Sequence, residues 1–212
     1  MLPPVVNKPV TIQLENGTYP PTVLENRQTA AAVNIDIRGN AANNTSVLFD
    51  CTNAASSSGL KISNVSGIRI YDLAVTNCTG YGIGVQNRSN VNIYRVYSKL
   101  NKYGFNVTEQ SRLSCNTCEA DQSTSYSMSA SELSFLYIVS INMHDSANDG
   151  IRVGSSSYIH CLGGSSPNIV TKSGGYGLNL TCGSFSEACN GNLTASENMA
   201  GDRNYGCTPY GD

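Results

Sequence analysis

The chain has 212 residues, a net charge of −2 and only 13% charged side chains, with no tryptophan. So few cations exclude a surface that tracks a nucleic-acid backbone, and the lack of an apolar run of about 18 residues excludes an inserted membrane helix. The length suffices for one domain, residues 1–212, with a continuous core, and no charge block, proline-rich linker or heptad run divides it.

Residues 1–8 lack the apolar stretch of a signal peptide, so either a signal has been removed or the protein leaves its cell another way, as a virion component released by lysis would. Residues 9–24 and 33–51 carry alternating strands with irregular turns, so residues 1–59 are expected to form irregular opening coils. A Tyr-Gly step then recurs: Tyr81-Gly82, Tyr103-Gly104, Tyr176-Gly177 and Tyr205-Gly206, with Tyr126-Ser127 and Asp149-Gly150 in the same place between them. From Tyr81 to Asp149 the steps are 22, 23 and 23 residues, lengthening afterwards to 27 and 29.

Each step opens a short alternating strand, such as Ile83-Gly84-Val85 or Phe105-Asn106-Val107. A serine follows at a fixed distance: Ser66, Ser89, Ser111, Ser134, Ser157 and Ser184. A second strand set places Ile68 and Ile70, Val91 and Ile93, Leu113 and Cys115, Leu136 and Ile138, and Ile159 and Cys161 inward. A third set does the same with Leu73 and Val75, Val96, Cys118 and Ala120, and Ile141 and Met143. Runs of three to five alternating residues bounded by Gly, Ser, Asn and Thr are strands rather than helices, and a fixed period of this size marks a solenoid. The expected fold is all-β: a single-stranded right-handed parallel β-helix of about eight coils with roughly 22–23 residues per coil, its hand following the crossover rule. It is regular over residues 60–160. Beyond Ser184 the second strand set dissolves into Ser186, Ala188 and Asn190, so residues 161–212 are expected to form looser coils and a cap.

Val10-Thr11-Ile12-Gln13-Leu14-Glu15-Asn16-Gly17-Thr18-Tyr19 resembles the opening coil of pectate-lyase-like right-handed β-helices. Ile35-Asp36-Ile37-Arg38-Gly39-Asn40 and Ser66-Gly67-Ile68-Arg69-Ile70-Tyr71-Asp72-Leu73 continue the likeness, which extends over nearly the whole chain. The resemblance implies the fold. For activity it leaves lyases, glycoside hydrolases, phage tailspikes and inert scaffolds open, and it implies self-association, commonly as a trimer. Asn148-Asp149-Gly150-Ile151 resembles a motif of polygalacturonase-type hydrolases, but the further Asp, Gly-His-Gly and Arg-Ile-Lys elements of those enzymes have no counterparts at the matching strands.

The eight cysteines do not form an obvious framework. Cys115 and Cys161 share an inward column with Ile138 between them, about 9.6 Å apart, too far for a disulfide. Cys115-Asn116-Thr117-Cys118 reads as two buried small residues rather than half a zinc site, since His160 and Cys161 are the nearest further ligands. Among Cys182, Cys189 and Cys207 one disulfide could staple the cap. Nothing calls for a metal or another cofactor.

The outward first-strand positions, Lys61, Gly84, Asn106, Ser129, Arg152 and Asn179, hold no carboxylate for acid–base chemistry. The second-strand face offers Arg69, Asn92, Ser114, Tyr137 and His160, beside Tyr71 and Tyr94. On the third-strand face one column reads Thr76, Lys99, Asp121, His144, with Asp72, Arg95, Glu119 and Asn142 beside it. Lys99, Asp121 and His144 have the makings of a proton relay; the plainer reading is a surface charge ladder. Glu109 and Glu132, in a turn column begun by Asn64 and Asn87, would stand about 5 Å apart on adjacent coils, near the separation of retaining glycosidases, with Arg88 or Arg112 to offset them. The column of Tyr81, Tyr103, Tyr126, Asp149 and Tyr176 is either a stacked edge or a platform for sugar rings, with Asp149 as an acceptor.

The expected function is that of a non-catalytic structural protein of a phage-like virion surface, tailspike-related or decorating a capsid, in a virion or extracellular setting. Its expected partners are copies of itself in a homotrimer, other virion proteins and polysaccharide. The alternative is a polysaccharide lyase or glycoside hydrolase working from the third-strand groove.

Overall fold

Short strands that bury alternate side chains, joined by turns that return every 23 residues or so, wind the chain into a right-handed parallel solenoid of about 8 coils. The computed structural model describes residues 5–30, 33–54, 57–181 and 183–205. Among these, the strands lie in three sheets of nine, eight and eight, each strand pairing with the next coil's. The first sheet runs from Val5–Val6 through Tyr81–Gln86, Tyr103–Val107 and Tyr126–Ala130 to Gly201–Tyr205. The second runs from Val10–Gln13 through Arg112–Asn116, Phe135–Val139 and Tyr158–Leu162 to Phe185–Glu187. The third runs from Gly17–Tyr19 through Tyr97–Lys99, Glu119–Asp121 and Asn142–His144 to Leu193–Ser196.

The inward columns are those the alternation predicts. Val85, Val107 and Ala130 stack on the first sheet, Ile93, Cys115, Ile138 and Cys161 on the second, and Ala120 and Met143 on the third, all within one buried apolar cluster. Burial of this continuous cluster is the main favourable term, at about 25 cal/mol per Å² of apolar surface.

The opening segment pairs in register, Val10 with Ile35 and Ile35 with Ile68, so only its turns are irregular. At the other end Phe185–Glu187 still pairs with Tyr158–His160, a single helical turn follows at Cys189–Asn192, and Leu193–Ser196 rejoins the third sheet. All three residues of Phe185–Glu187 are exposed, so this strand carries no alternation to read. Tyr205 is out of step with its apparent period: Gly201 faces Tyr176, and Tyr205 faces Leu180.

Corners are made by residues in the left-handed region. After six of the eight third-sheet strands, from Ala74–Thr76 onward, comes one such residue: Asn77, Leu100, Gln122, Asp145, Lys172 and Glu197. The same holds between the second and third sheets at Asp72, Arg95, Thr117 and Ser140. For an L-residue this conformation costs roughly 1–2 kcal/mol. Most of these corners keep a coil-to-coil bond, as when Leu100 N–H donates to Asp121 O at 3.1 Å and Thr117 N–H to Val139 O at 2.9 Å.

Two disulfides tie neighbouring coils. Cys51 joins Cys78 and Cys161 joins Cys189, with Cα separations of 4.9 and 4.8 Å and sequence separations of 27 and 28, about one coil. Cys161 is indeed not bonded to Cys115. The expectation of a bridge among Cys182, Cys189 and Cys207 is corrected, because Cys189 takes its partner from the preceding coil; Cys182 and Cys207 lie outside the described residues. Cys115 and Cys118 are free and buried.

The serine period is an internal hydrogen-bond ladder at the corner between the first and second sheets. Ser89 Oγ accepts from Val65 N–H at 3.1 Å, Ser111 Oγ from Ser89 N–H at 3.1 Å, Ser134 Oγ from Ser111 N–H at 3.2 Å, and Ser157 Oγ from Ser134 N–H at 3.0 Å. These hydroxyls satisfy amides that the corner removes from water. Ser111→Ala would leave the Ser89 N–H buried without that acceptor and is expected to cost about 1–3 kcal/mol in urea unfolding. Ser114→Ala, on the outer face, is expected to stay within about 0.5 kcal/mol.

Candidate functional site

Tyr81, Tyr103 and Tyr126 open consecutive first-sheet strands in direct register. Their ring centroids are 5.4 and 5.6 Å apart, with interplanar tilts of 42° and 45°. The Tyr81 ring lies across the outer face of the sheet, over Gly84, where a Cβ would come within 2.9 Å of Tyr81 Cδ2. Further along that outward column Asn106 and Ser129 are only 7% and 8% exposed, and the Ser129 hydroxyl donates to Asn106 Oδ1 at 2.5 Å. Two cations border the row. Lys102 Nζ is 5.4 Å from the Tyr103 centroid, and the Arg152 guanidinium is 5.1 Å from that of Tyr126 and donates to its hydroxyl.

The row ends there. Asp149 is buried, its Oδ1 accepting from Tyr176 N–H at 2.9 Å and its Oδ2 from Asn179 Nδ2 at 2.8 Å. Its acceptors serve the next coil rather than a ligand. Tyr176 lies beyond it, its ring 3.6 Å from where a Cβ on Gly201 would sit.

Beside the tyrosines, the corner between the first and second sheets forms a groove of about 730 Å³ lined by Ser63, Asn64, Asn87, Arg88, Glu109 and Glu132, among others. Its rim consists of residues in the left-handed region, including Asn64, Asn87, Glu109 and Glu132. Asn87 N–H donates to Glu109 Oε2 at 3.1 Å, and Asn87 Nδ2 donates to Ser63 Oγ at 2.6 Å. Neither arginine offsets the acids as expected: Arg88 Nε donates to Gln110 Oε1 at 3.2 Å, and the Arg112 guanidinium sits 4.2 Å from the Tyr137 centroid. Both glutamates are exposed, whereas a glycosidase acid needs an apolar seat. Burial, then the neighbouring Tyr103 and the charges of Glu109 and Glu132, hold the Tyr81 hydroxyl above the usual phenol range. The groove's lining is polar apart from Leu133, and its two glutamates lie near enough to act on the Tyr81 hydroxyl.

A second cluster stands on the third sheet, where Lys99, Asp121 and His144 are in register on successive coils. Lys99 Nζ lies 3.0 Å from Asp121 Oδ2, to which the Tyr97 hydroxyl also donates at 3.1 Å. His144 Nδ1 lies 2.8 Å from Asp145 Oδ2 and 3.3 Å from Asp121 Oδ1, and Nε2 lies 3.0 Å from Glu119 Oε1. Burial alone would lower the imidazole's pKa; hydrogen bonds to Glu119 and Asp145 and the charge of Asp121 outweigh it and hold the group above its ordinary value. Lys99, Asp121 and His144 do form the expected charge ladder. Tyr97 and Asp145 were missed, Asp145 because it falls at the corner residue, outside the strand alternation.

The outer face of the second sheet carries an aromatic patch that the sequence reading recognised only in Tyr137 and His160. Phe135, Tyr158 and Phe185 share one column with Arg112, and Phe135 and Phe185 are 45% and 59% exposed. The Phe135 and Tyr158 rings are 5.9 Å apart, and those of Tyr137 and His160 5.8 Å. Their spacing of one coil was the available signal. Tyr71 and Tyr94 stack nearly parallel higher on the same sheet, 4.7 Å apart.

No protein-family model, no curated protein and no solved structure matches the chain. Among the described residues no helix is long and apolar enough to cross a membrane.

The packing of Tyr81 on Gly84 can be tested directly. Gly84→Val is expected to lift that ring from the sheet, weakening the tyrosine near-ultraviolet circular dichroism, which is free of tryptophan signal in this chain. The far-ultraviolet spectrum should be retained.

Proposed function

We propose that this chain is a non-catalytic surface protein, carried on a virion or in the extracellular space, that binds polysaccharide across the tyrosine row and the adjoining groove. The observation that carries the reading is the ring row of Tyr81, Tyr103 and Tyr126, at 5.4 and 5.6 Å spacing, beside a wall of amides and two exposed carboxylates. A pyranose ring presents an apolar C–H face and a hydroxyl rim. The first packs on tyrosine, and the second hydrogen-bonds to Asn, Gln and Glu side chains. Because the rings recur once per coil, successive sugar units along an extended chain meet equivalent contacts. Two disulfides between coils suit an oxidising setting outside the cell.

In this reading copies of the chain associate as a trimer among other virion proteins. The exposed column of Phe135 and Phe185, with Leu133 beside it, supplies the apolar contact surface.

The alternative is a lyase or hydrolase working from the third-sheet face, favoured by the one imidazole set among three carboxylates, with Lys99 and Tyr97 on Asp121. Affinity electrophoresis against a panel of polysaccharides separates the two readings. Binding is expected for the wild-type chain, with Tyr103→Ala weakening it about fivefold, as the loss of about 1 kcal/mol of aromatic contact implies, and with no new reducing ends formed. No binding to any polysaccharide, or equal binding by the variant, would sink the proposal. New reducing ends or unsaturated products that His144→Asn abolishes would install the enzyme instead. For the assembly, light scattering is expected to give about three times 22.5 kDa, and a clean monomer would remove the trimer.

A further inference from the structure

The third-sheet cluster has a property that neither charge pairing nor polysaccharide binding explains. Three carboxylates, from Glu119, Asp121 and Asp145, converge on the imidazole of His144, and among the described residues the one other cation paired with them is Lys99. With the imidazole protonated, three negative charges face two positive ones. With a neutral imidazole and a divalent cation, the charges balance.

We propose that Asp121, His144 and Asp145 bind a divalent transition-metal ion of the zinc class on the third-sheet face, with Glu119 orienting the imidazole. Nδ1 of His144 lies 3.3 Å from Asp121 Oδ1 and 2.8 Å from Asp145 Oδ2, and the three donor atoms all lie within 4.8 Å of one another. Donors bound to one ion at about 2.0–2.2 Å stand roughly 3–3.5 Å apart in tetrahedral or octahedral geometry. Rotation of the half-exposed Asp145 side chain closes the remaining gap.

Two of the three ligands, His144 and Asp121, are held from behind. The Nε2 side of His144 is taken by Glu119 at 3.0 Å, so donation of that N–H leaves the Nδ1 lone pair for the metal, the arrangement by which carboxylates orient metal-bound histidines. Asp121 is anchored through Oδ2 by Tyr97 and Lys99, which turns Oδ1 toward the imidazole. The nitrogen takes the ion through its lone pair, so any proton on Nδ1 leaves to solvent as the metal binds. One nitrogen and two carboxylate oxygens suit zinc or a neighbouring transition ion. They suit calcium and magnesium poorly, since these take oxygen ligands. The open side of the site, toward solvent at Asp145, leaves room for water.

The test is isothermal titration of zinc chloride into the full chain after chelator treatment, with bound metal counted by mass spectrometry. One zinc per chain is expected. His144→Asn and Asp145→Asn should each abolish it or weaken it at least tenfold, Glu119→Gln should weaken it about 10–100-fold, and His160→Asn should leave it unchanged. Asp145→Asn alters a half-exposed corner residue, so it keeps the test open if His144→Asn fails to fold. Failure of the wild-type chain to retain zinc would overturn the proposal, as would zinc binding that survives both substitutions. Polysaccharide binding by the tyrosine row is read separately and stands or falls on its own.

Discussion

The structure depends on keeping the coil-to-coil backbone hydrogen bonds unbroken while the chain turns three corners per coil. A parallel stack has nowhere else to satisfy its amides, and a corner that interrupted the ladder would strand them in the interior. The chain solves this with single residues or pairs in the left-handed region, which redirect the strand while their own N–H groups still reach the next coil. The conformational cost falls on ordinary residues such as Leu100, Leu133 and Arg95 as well as asparagines. What offsets it is the coil-to-coil hydrogen bond that residues such as Leu100, Leu133 and Arg95 keep, reinforced by the serine ladder beneath one corner and a disulfide near each end of the stack.

The same corners make the surface features. A left-handed residue projects its side chain outward from the bend, so stacking the bends stacks their side chains. Asn64, Asn87, Glu109 and Glu132 line the groove for this reason, and Asp145 reaches His144 for the same reason on the opposite corner. The pitch of the backbone also sets the spacing of the rings. Strands about 4.8 Å apart hold the tyrosines in register at 5.4 Å, with their rings tilted by 42° to one another. A glycine at position 84 and small polar residues at 106 and 129 leave room for the rings to lie on the sheet.

Much of the fold was legible in the sequence because it repeats. The inward columns from Leu60 to Cys161 and the vertical neighbours Lys99, Asp121 and His144 follow from alternation and period alone. Where periodicity is lost, so is legibility. Phe185–Glu187 faces solvent throughout, and Tyr205 continues the Tyr-Gly pattern in sequence but not the register of the row, pairing with Leu180 instead of Tyr176. The disulfides were missed for a related reason. Cys51 and Cys161 lie one coil before their partners, but through corners of variable length, so no shared column marks the pair. Asp149 occupies the tyrosine position in sequence, yet its short side chain reaches the next coil's backbone and is buried. Side-chain direction at a corner is set by the backbone there, which alternation does not describe.

The most direct measurement is hydrogen–deuterium exchange with and without a bound polysaccharide. If the row and groove form the binding surface, added protection should recur once per coil, in peptides spanning residues 81–88, 103–110 and 126–133, with little change between them. Protection confined to the aromatic patch at 135–162, or to the cluster around His144, would contradict the assignment of the first-sheet face.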